Sequence, residues 1–424
     1  MIVATAPAVE ESPSLARRGC LSCGAALHHT FVDLGMSPLC ESYVPKERLD
    51  QVEAFYPLHV YVCDQCFLVQ LEQYVSPEAI FTEYAYFSSY SSSWLRHARA
   101  YTEMAIERFG LGKSSRVVEV ASNDGYLLQY FVERGVPVLG VEPAANVARA
   151  AVDRGVPTVV RFFGRETAGE IVREHGPADL IVGNNVLAHV PDVNDFVAGL
   201  EVLLGRGGTI TMEFPHLWRL MEENQFDTIY HEHFSYLSFT VARDIFAAHG
   251  LRIFDVQRLP THGGSLRIFA AHRSDPRTET DAAAALAREE SADGFRTLAR
   301  YRPFGARVEE TKRALLAFLI EARRAGKTVA AYGAPGKGNT LLNYCGIRTD
   351  FVEYAVDRNP YKHGRYTPGT HIPIHPPERL RETRPDYILI LPWNLREEIV
   401  GQLAYVREWG AKFVVPIPAV EVIP

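Results

Sequence analysis

From residue 116 onward, short unbroken apolar runs alternate with amphipathic stretches. The runs at 116–121 (RVVEVA), 137–143 (PVLGVEP), 179–186 (DLIVGNNV), 208–214 (GTITMEF), 252–259 (RIFDVQRL) and 265–271 (SLRIFAA) have the length and β-branched content of buried strands. Strands separated by helical patterns predict a mostly parallel sheet with helices on both faces. A polar, Ala- and acid-rich stretch at 272–294 reads as a linker that turns helical, and 307–327 carries the spacing of a longer amphipathic helix. The strand rhythm then resumes at 328–334, 351–357, 386–393 and 412–418, which predicts a second α/β unit. Upstream, only short β-like runs occur, at 57–63 and 67–74. The expected organisation is α/β in three parts: residues 1–78, 79–273 and 274–424.

Composition narrows the class. A chain of 424 residues is too long for one ordinary core, and 47% hydrophobic with 22% charged residues is typical of globular domains. No apolar run reaches the ~18 residues of a membrane span, so no membrane partner is expected. The first 19 residues lack a basic start and an apolar core, so they read as a disordered lead-in rather than an export signal. A formal net charge of −7 argues against a nucleic-acid footprint, which needs clustered Lys and Arg. A monomer in a reducing cytoplasm is the expectation.

Four of the six cysteines form two CxxC pairs, Cys20/Cys23 and Cys63/Cys66. Each such turn aims two sulfurs at one point, and two turns complete a tetrahedron with sulfur–metal bonds of ~2.3 Å. Without an export signal, a structural zinc site is expected rather than disulfides. Cys40 and Cys345 read as ordinary thiols.

RVVEVASNDGYLL reads as strand, tight acidic loop and helix, with Glu119 ending the strand and Gly125 opening the helix. The next strand ends in Glu142, an acid suited to ribose hydroxyls. A dinucleotide site would want G-x-G-x-x-G, whose bare backbone meets a pyrophosphate. This loop instead carries Glu119 and Asp124, which would repel pyrophosphate and suit a cationic sulfonium ligand. EVASNDG resembles motif I of class I methyltransferases, with Asn123, Asp124 and Gly125 matching and Ala121 where that family usually has Gly. Asn184 and Asn185, in DLIVGNNVLAHVPD, are the expected cofactor neighbours at the fourth strand.

After the fifth strand, Tyr230, His231, Glu232, His233 and Tyr236 crowd into seven positions. Such groups can hold and move protons near neutral pH. The histidines are two apart, whereas the zincin motif needs H-E-x-x-H. In the third region, TVAAYGAPGKGNT gives a strand, a Gly-rich loop and a helix. Gly333, Gly336 and Gly338 would free N–H groups for an anion, and Lys337 would add charge. Asp357 ends the following strand, so a dinucleotide reading also arises.

Taken together, the double CxxC, EYAYFSSYSSSW, EVASNDG, NNVLAHVPD, EFPH, YHEHFSYLS, THGGSLR and GAPGKGNT resemble the sugar C-methyltransferase family of deoxysugar biosynthesis. The resemblance implies a zinc-binding domain, a Rossmann-like domain holding S-adenosylmethionine and a Rossmann-like C-terminal domain, in that order. It implies an enzyme that C-methylates a nucleotide-linked 4-keto-deoxysugar through an enolate, with carbon 3 favoured over carbon 5. It also implies catalytic roles for Tyr84, His189, Tyr230, Glu232 and His233. Gly336, Lys337, Asn339, Arg358 and Lys362 would meet the substrate's nucleotide. Methylating carbon needs a carbanion, so a base must take the α-proton and donors must hold the oxyanion. His233 is the expected base, oriented by Glu232, with His231 as its competitor. Tyr84, Tyr230 or His189 would donate to the oxygen. The rival readings are an NAD-dependent oxidoreductase built on the C-terminal sheet, an RNA methyltransferase, and a zinc-ribbon binding module with a methyltransferase-like fold.

Overall fold

The computed structural model describes residues 19–77 and 88–424. The N-terminal part is built on β1 (His29–Ser37), β3 (Tyr56–Val62) and β4 (Val69–Leu71), paired antiparallel. The short β2 (Val44–Pro45) leaves this sheet to pair with β15 (Arg365–Tyr366) of the third part.

The middle sheet contains β5 (Val117–Val120), β6 (Val138–Val141), β7 (Thr158–Val159), β8 (Ala178–Asn184), β9 (Leu204–Pro215), β11 (Leu251–Leu259) and β12 (Ser265–His272). Its order is β11-β12-β9-β8-β5-β6-β7. The five strands from β9 to β7 run parallel, and the β11–β12 hairpin adds antiparallel pairing at one edge. All four residues of β5 are buried, as a central strand covered on both faces requires. Helix Ser92–Phe109 covers one face through Ala98, Tyr101, Thr102 and Ala105, a spacing that keeps one side of a helix in contact. Ser91 caps its first turn by accepting from the Trp94 amide, and the left-handed Gly110 ends it.

The stretch expected to turn helical does so over Asp281–Ala292, capped by Thr280. Its Ala283 and Leu286 join the same core as Ile253 and Val256 of β11, so the packing of the middle unit extends past residue 273.

The third sheet has the order β16 (Ile374–His375), β14 (Ala355–Val356), β13 (Val329–Tyr332), β17 (Tyr387–Ile390), β18 (Lys412–Val415), β19 (Glu421–Ile423). All its pairs are parallel except β18–β19. The expected second α/β unit is therefore present. Helix Phe304–Arg324 ties it to the N-terminal part, with Phe304 stacked on Phe31 at 4.5 Å between ring centres. Among the described residues no helix is long and apolar enough to cross a membrane.

One strand joins the N-terminal sheet from far downstream. β10 (Ser235–Tyr236) pairs antiparallel with β4, setting Ser235 opposite Gln70 and Tyr236 opposite Val69. The YHEHFSYLS segment is thereby fastened to the cysteine-bearing module.

Candidate active site

The four expected cysteine sulfurs lie within 4.8 Å of one another, and none is in a disulfide. Cys20 and Cys66 are 3.4 Å apart, and Cys23 and Cys63 are 3.6 Å apart. Four thiols converging on one point fit a tetrahedral zinc ion, and all four positions are supplied by protein. The adjacent Gln70 is fully buried and accepts from the Leu21 amide at 3.0 Å. It links the cysteine turn to β4, and β4 carries β10.

A single cavity of about 560 Å³ opens at the C-terminal ends of the middle strands. It runs from the loop after β5, past Asn184 and Asn185, to the YHEH segment and the Gly-rich turn of the third part. The switch of strand order places ligands at this edge in doubly wound sheets.

The loop after β5 has an unusual backbone. Ala121, Asn123 and Gly125 all adopt left-handed conformations, with φ of 57°, 49° and 76°. The alternating glycine-like geometry is therefore kept although only one of the three is Gly. Gly125 itself leaves no room for a side chain, since a Cβ there would sit 3.1 Å from Val156 and 3.3 Å from Ala151. It does not open the helix; a left-handed residue breaks helical geometry, and the helix begins at Leu128.

Glu142 lines the cavity, and its carboxylate also accepts from the Asn123 amide at 3.0 Å and the Ala144 amide at 2.9 Å. Asn123, Asn184 and Asn185 line it too. Glu119 is fully buried just behind the loop. Neither of its oxygens meets a donor in hydrogen-bonding geometry, and burial pushes its pKa well above the usual carboxylate range, with Tyr126 pulling the other way. Its side chain meets Tyr126, which lines the cavity, so Glu119 stands one layer behind the wall and does not line the cavity itself. Asp124 departs from expectation. Its carboxylate turns away from the cavity to Arg154, 2.7 Å away, and to the Ser89 hydroxyl, so it braces the loop instead of lining the site.

Tyr230, His231, Glu232 and His233 form a turn, closed by the His233 amide donating to the Tyr230 carbonyl at 2.9 Å. In an extended strand Glu232 would face away from both histidines. In this turn Tyr230, Glu232 and His233 all line the cavity, joined by His189. His231 is excluded from it, buried against the N-terminal part with Nε2 3.2 Å from the Pro57 carbonyl. The His233 ring lies 4.6 Å from His189 and 4.1 Å from Tyr230. Its Nδ1 donates to the Thr228 carbonyl at 2.8 Å, so a backbone group orients it, and not Glu232. Glu232 instead stands 3.9 Å from the Cys40 thiol. Burial lowers the His233 pKa to about 4, and burial also holds His189 well below its ordinary value. Both imidazoles are thus neutral near pH 7. Tyr84 lies outside the described residues.

In the third part, Gly336 and Lys337 line the cavity. Lys337 sits over the Trp393 ring at 4.7 Å, and Trp393 donates to the buried Asp227, whose pKa burial pushes up to about 7. Burial lowers that of Lys337. Three expectations are corrected. Asn339 is buried with its amide donating to the Cys40 carbonyl at 2.6 Å, so it fastens the N-terminal part. Arg358 is exposed and lies outside the cavity lining. Lys362 donates to the Ala334 carbonyl at 2.8 Å and stands over Tyr43, away from the lining. The glycines serve close packing more than anion capture. A Cβ at Gly333 would strike Pro392 at 2.6 Å, and one at Gly338 would strike Leu391 at 2.9 Å. Asp357, the acid a dinucleotide reading needs, is spent on the Ala334 and Asn359 amides, both at 2.8 Å, and does not reach the cavity.

The cavity also contains groups that the sequence reading did not single out. Arg161, Phe162 and Phe163 follow β7, and their place after the third parallel strand was the available signal. Trp94 stacks on His97 at 4.9 Å and meets His262 edge-on at 5.2 Å. Cys40, expected from the sequence to be an ordinary thiol, and Glu41 come from the N-terminal part, so three parts of the chain wall one chamber.

Comparison with known proteins agrees with this arrangement. Residues 20–81 match a zinc binding domain family, 94–256 a methyltransferase domain family, and 260–418 the C-methyltransferase C-terminal domain family. The C-methyltransferase NovU of Streptomyces niveus is 38% identical over 404 residues, covering 95% of this chain and 96% of NovU. Among solved structures, magnesium protoporphyrin IX methyltransferase from Synechocystis with bound SAM covers 42% of this chain and 79% of its own, at 14% identity and a TM-score of 0.32. A SAM-dependent methyltransferase from Anabaena variabilis covers 42% and 85%, at 14% identity and a TM-score of 0.35. The chain belongs to the family of S-adenosylmethionine-dependent C-methyltransferases that join a zinc-binding domain, a class I methyltransferase domain and a C-methyltransferase C-terminal domain.

Proposed function

We propose that the enzyme methylates a nucleotide-activated 4-keto-deoxysugar at a carbon next to the ketone, carbon 3 ahead of carbon 5, through an enolate, in a reducing cytoplasm. The observation that carries this reading is the continuous cavity in which a neutral, backbone-oriented His233 stands beyond the cofactor loop. With its Nδ1–H bonded to Thr228, the ring keeps its Nε2 lone pair for the cavity. An unprotonated base beside a ketone can take the α-proton, and the electron pair of that C–H bond passes through the new C=C to oxygen. The resulting carbon is the nucleophile.

Adenosylmethionine, when bound, supplies the electrophilic methyl group. The residues suited to hold it are Glu142 for the ribose and Asn184 and Asn185 beside it, with the buried Glu119, also expected here, behind the loop wall. Phe162 and Phe163 offer flat apolar faces to a base. Tyr230 and His189 border His233 and are suited to donate to the oxyanion, a role also assigned to Tyr84. Lys337 and Gly336 would take the diphosphate side of the substrate. Zinc would have a structural role, holding the module to which β10 is paired.

The test is to incubate the enzyme with labelled adenosylmethionine and the thymidine, uridine and cytidine diphosphate 4-keto-6-deoxyhexoses. Methyl transfer to carbon, mapped by NMR of the product, is expected with at least one. Transfer to oxygen or nitrogen only, or to none of the panel, would overturn the reading.

A further inference from the structure

The segment THGGSLR contributes a residue to the chamber that the reading above does not use. His262 lines the cavity between Asn185, beside the cofactor loop, and the His189–His233 pair. The residue is exposed on the wall of the chamber. Its backbone is left-handed, with φ 53° and ψ 26°, a conformation that costs a non-glycine residue of the order of 1 kcal/mol or more. The surrounding contacts enforce it. The Thr261 hydroxyl donates to the buried Glu213 at 2.8 Å, and Glu213 is itself held by Arg267 and His97, both at 2.8 Å. The Gln225 amide donates to the Gly263 carbonyl at 2.7 Å. A Cβ on Gly263 would strike Gln225 at 2.6 Å and Trp393 at 2.8 Å, so the turn has no room to relax. Strain held in place by so many partners is characteristic of functional positions.

The ring's chemistry is set by Asn185. The Asn185 side-chain NH₂ lies 3.0 Å from His262 Nε2. An NH₂ group only donates, so Nε2 accepts and the ring proton is on Nδ1. Desolvation in the chamber wall, with Lys337 adding to it, pushes the pKa down to about 4, so the ring is a neutral donor near pH 7. A neutral imidazole can hold a developing oxyanion without giving up its proton.

We propose that His262 is a catalytic residue whose Nδ1–H donates a hydrogen bond to the ketone oxygen as the enolate forms. The inference rests on the function proposed above. In the step it serves, the α C–H bond breaks and its proton goes to His233 Nε2. The C–H electron pair becomes the C=C bond, and the carbonyl π pair moves onto oxygen. The Nδ1–H bond of His262 stays intact throughout.

The test uses the full-length zinc-loaded enzyme with the member of the sugar-nucleotide panel that the wild type turns over best, measuring exchange in D₂O without adenosylmethionine and methyl transfer with it. His262→Gly suits the left-handed backbone and lacks the donor, and His262→Gln keeps a donor. In His262→Gly, deuterium uptake at the α-carbon and kcat for methyl transfer are expected to fall about 100- to 1,000-fold, the usual loss for one oxyanion donor. KM and the Kd for adenosylmethionine should stay within about threefold. His262→Gln, or added imidazole, should restore exchange at least tenfold over His262→Gly. Exchange by His262→Gly within threefold of the wild type would overturn the proposal and leave the function standing. So would a rise in KM at unchanged kcat. A wild type that exchanges and methylates no member of the panel would overturn the function, and this role with it.

Discussion

His233 Nδ1 lies 2.8 Å from the carbonyl oxygen of Thr228, five residues earlier in the same loop. That bond sets the tautomer, because a carbonyl only accepts, and Nε2 is left with the lone pair. It also makes the base independent of any acidic partner. The expected outcome for His233→Asn is loss of α-proton exchange and methyl transfer by at least 100-fold, within the usual range for a general base, with adenosylmethionine affinity retained. His231→Asn should keep the chemistry and lose stability, by about 1–3 kcal/mol, as its bond to Pro57 weakens. Exchange assays and denaturant titrations on the two variants separate these outcomes, and the reverse pattern would name His231 as the base.

The acidity of His233 predicts a pH dependence. Its folded pKa of about 4 lies below the unfolded value of 6.5. The unfolded chain therefore binds the extra proton first. The contribution to stability is present above pH 6.5 and is lost as pH falls toward 4, by at most about 3 kcal/mol. Unfolding free energies measured between pH 7 and 4 should fall less steeply for His233→Asn than for the wild type. Equal slopes would mean that the ring is not held neutral.

Ala121 occupies a left-handed conformation that glycine adopts freely. Ala121→Gly relieves about 1–2 kcal/mol of backbone strain and returns about 0.4–1 kcal/mol of unfolded-chain entropy, so it should be neutral or slightly stabilising. Cofactor affinity should be unchanged. Ala121→Val, β-branched at the same φ, should destabilise by more than 1 kcal/mol. Thermal melts and calorimetry check both.

Glu142 has two duties, which two variants separate. Glu142→Gln keeps one oxygen for the Asn123 or Ala144 amide and loses the charge-assisted grip on ribose, so the Kd for adenosylmethionine should rise at least tenfold with a small change in melting temperature. Glu142→Ala should add a stability loss of about 1–3 kcal/mol from the stranded amides. An unchanged Kd in both would move the ribose site elsewhere.

Metal removal should reach the active site through the β4–β10 pair. About one zinc per chain is expected in the purified protein on the four-thiolate argument. Stripping it with a chelator should loosen Gln70, whose side chain holds the Leu21 amide, and with it Ser235 opposite. Deuterium exchange into the sugar should then fall together with the metal content, while zinc-reloaded protein recovers it. Exchange that persists in metal-free, folded protein would show the two sites to be independent.

Local pattern was enough to reveal the strand rhythm, both CxxC turns, the acidic loop after β5 and Glu142. Each depends on residues adjacent in sequence, where periodicity and turn chemistry act directly. Glu142, Asn184 and Asn185 line the cavity because strand ends in a parallel sheet share one edge, and that edge is implicit in the alternation of elements. What the sequence could not supply is which way a side chain turns once the backbone bends. Asp124 sits in the predicted loop but pairs with Arg154, 30 residues later. Glu232 sits beside His233 yet reaches Cys40, and the base is oriented by a main-chain carbonyl, which carries no residue identity to read. Asn339, Arg358 and Lys362 had suitable chemistry near the Gly-rich turn, but packing against the N-terminal part took Asn339, and solvent and the Ala334 carbonyl took the others. Local residues thus determined the elements and the chemistry each offered. Tertiary packing alone decided which groups met, because His262, Cys40, Trp94 and Lys337 come from four separate stretches of chain and share a wall only after the three parts of the chain have closed around it.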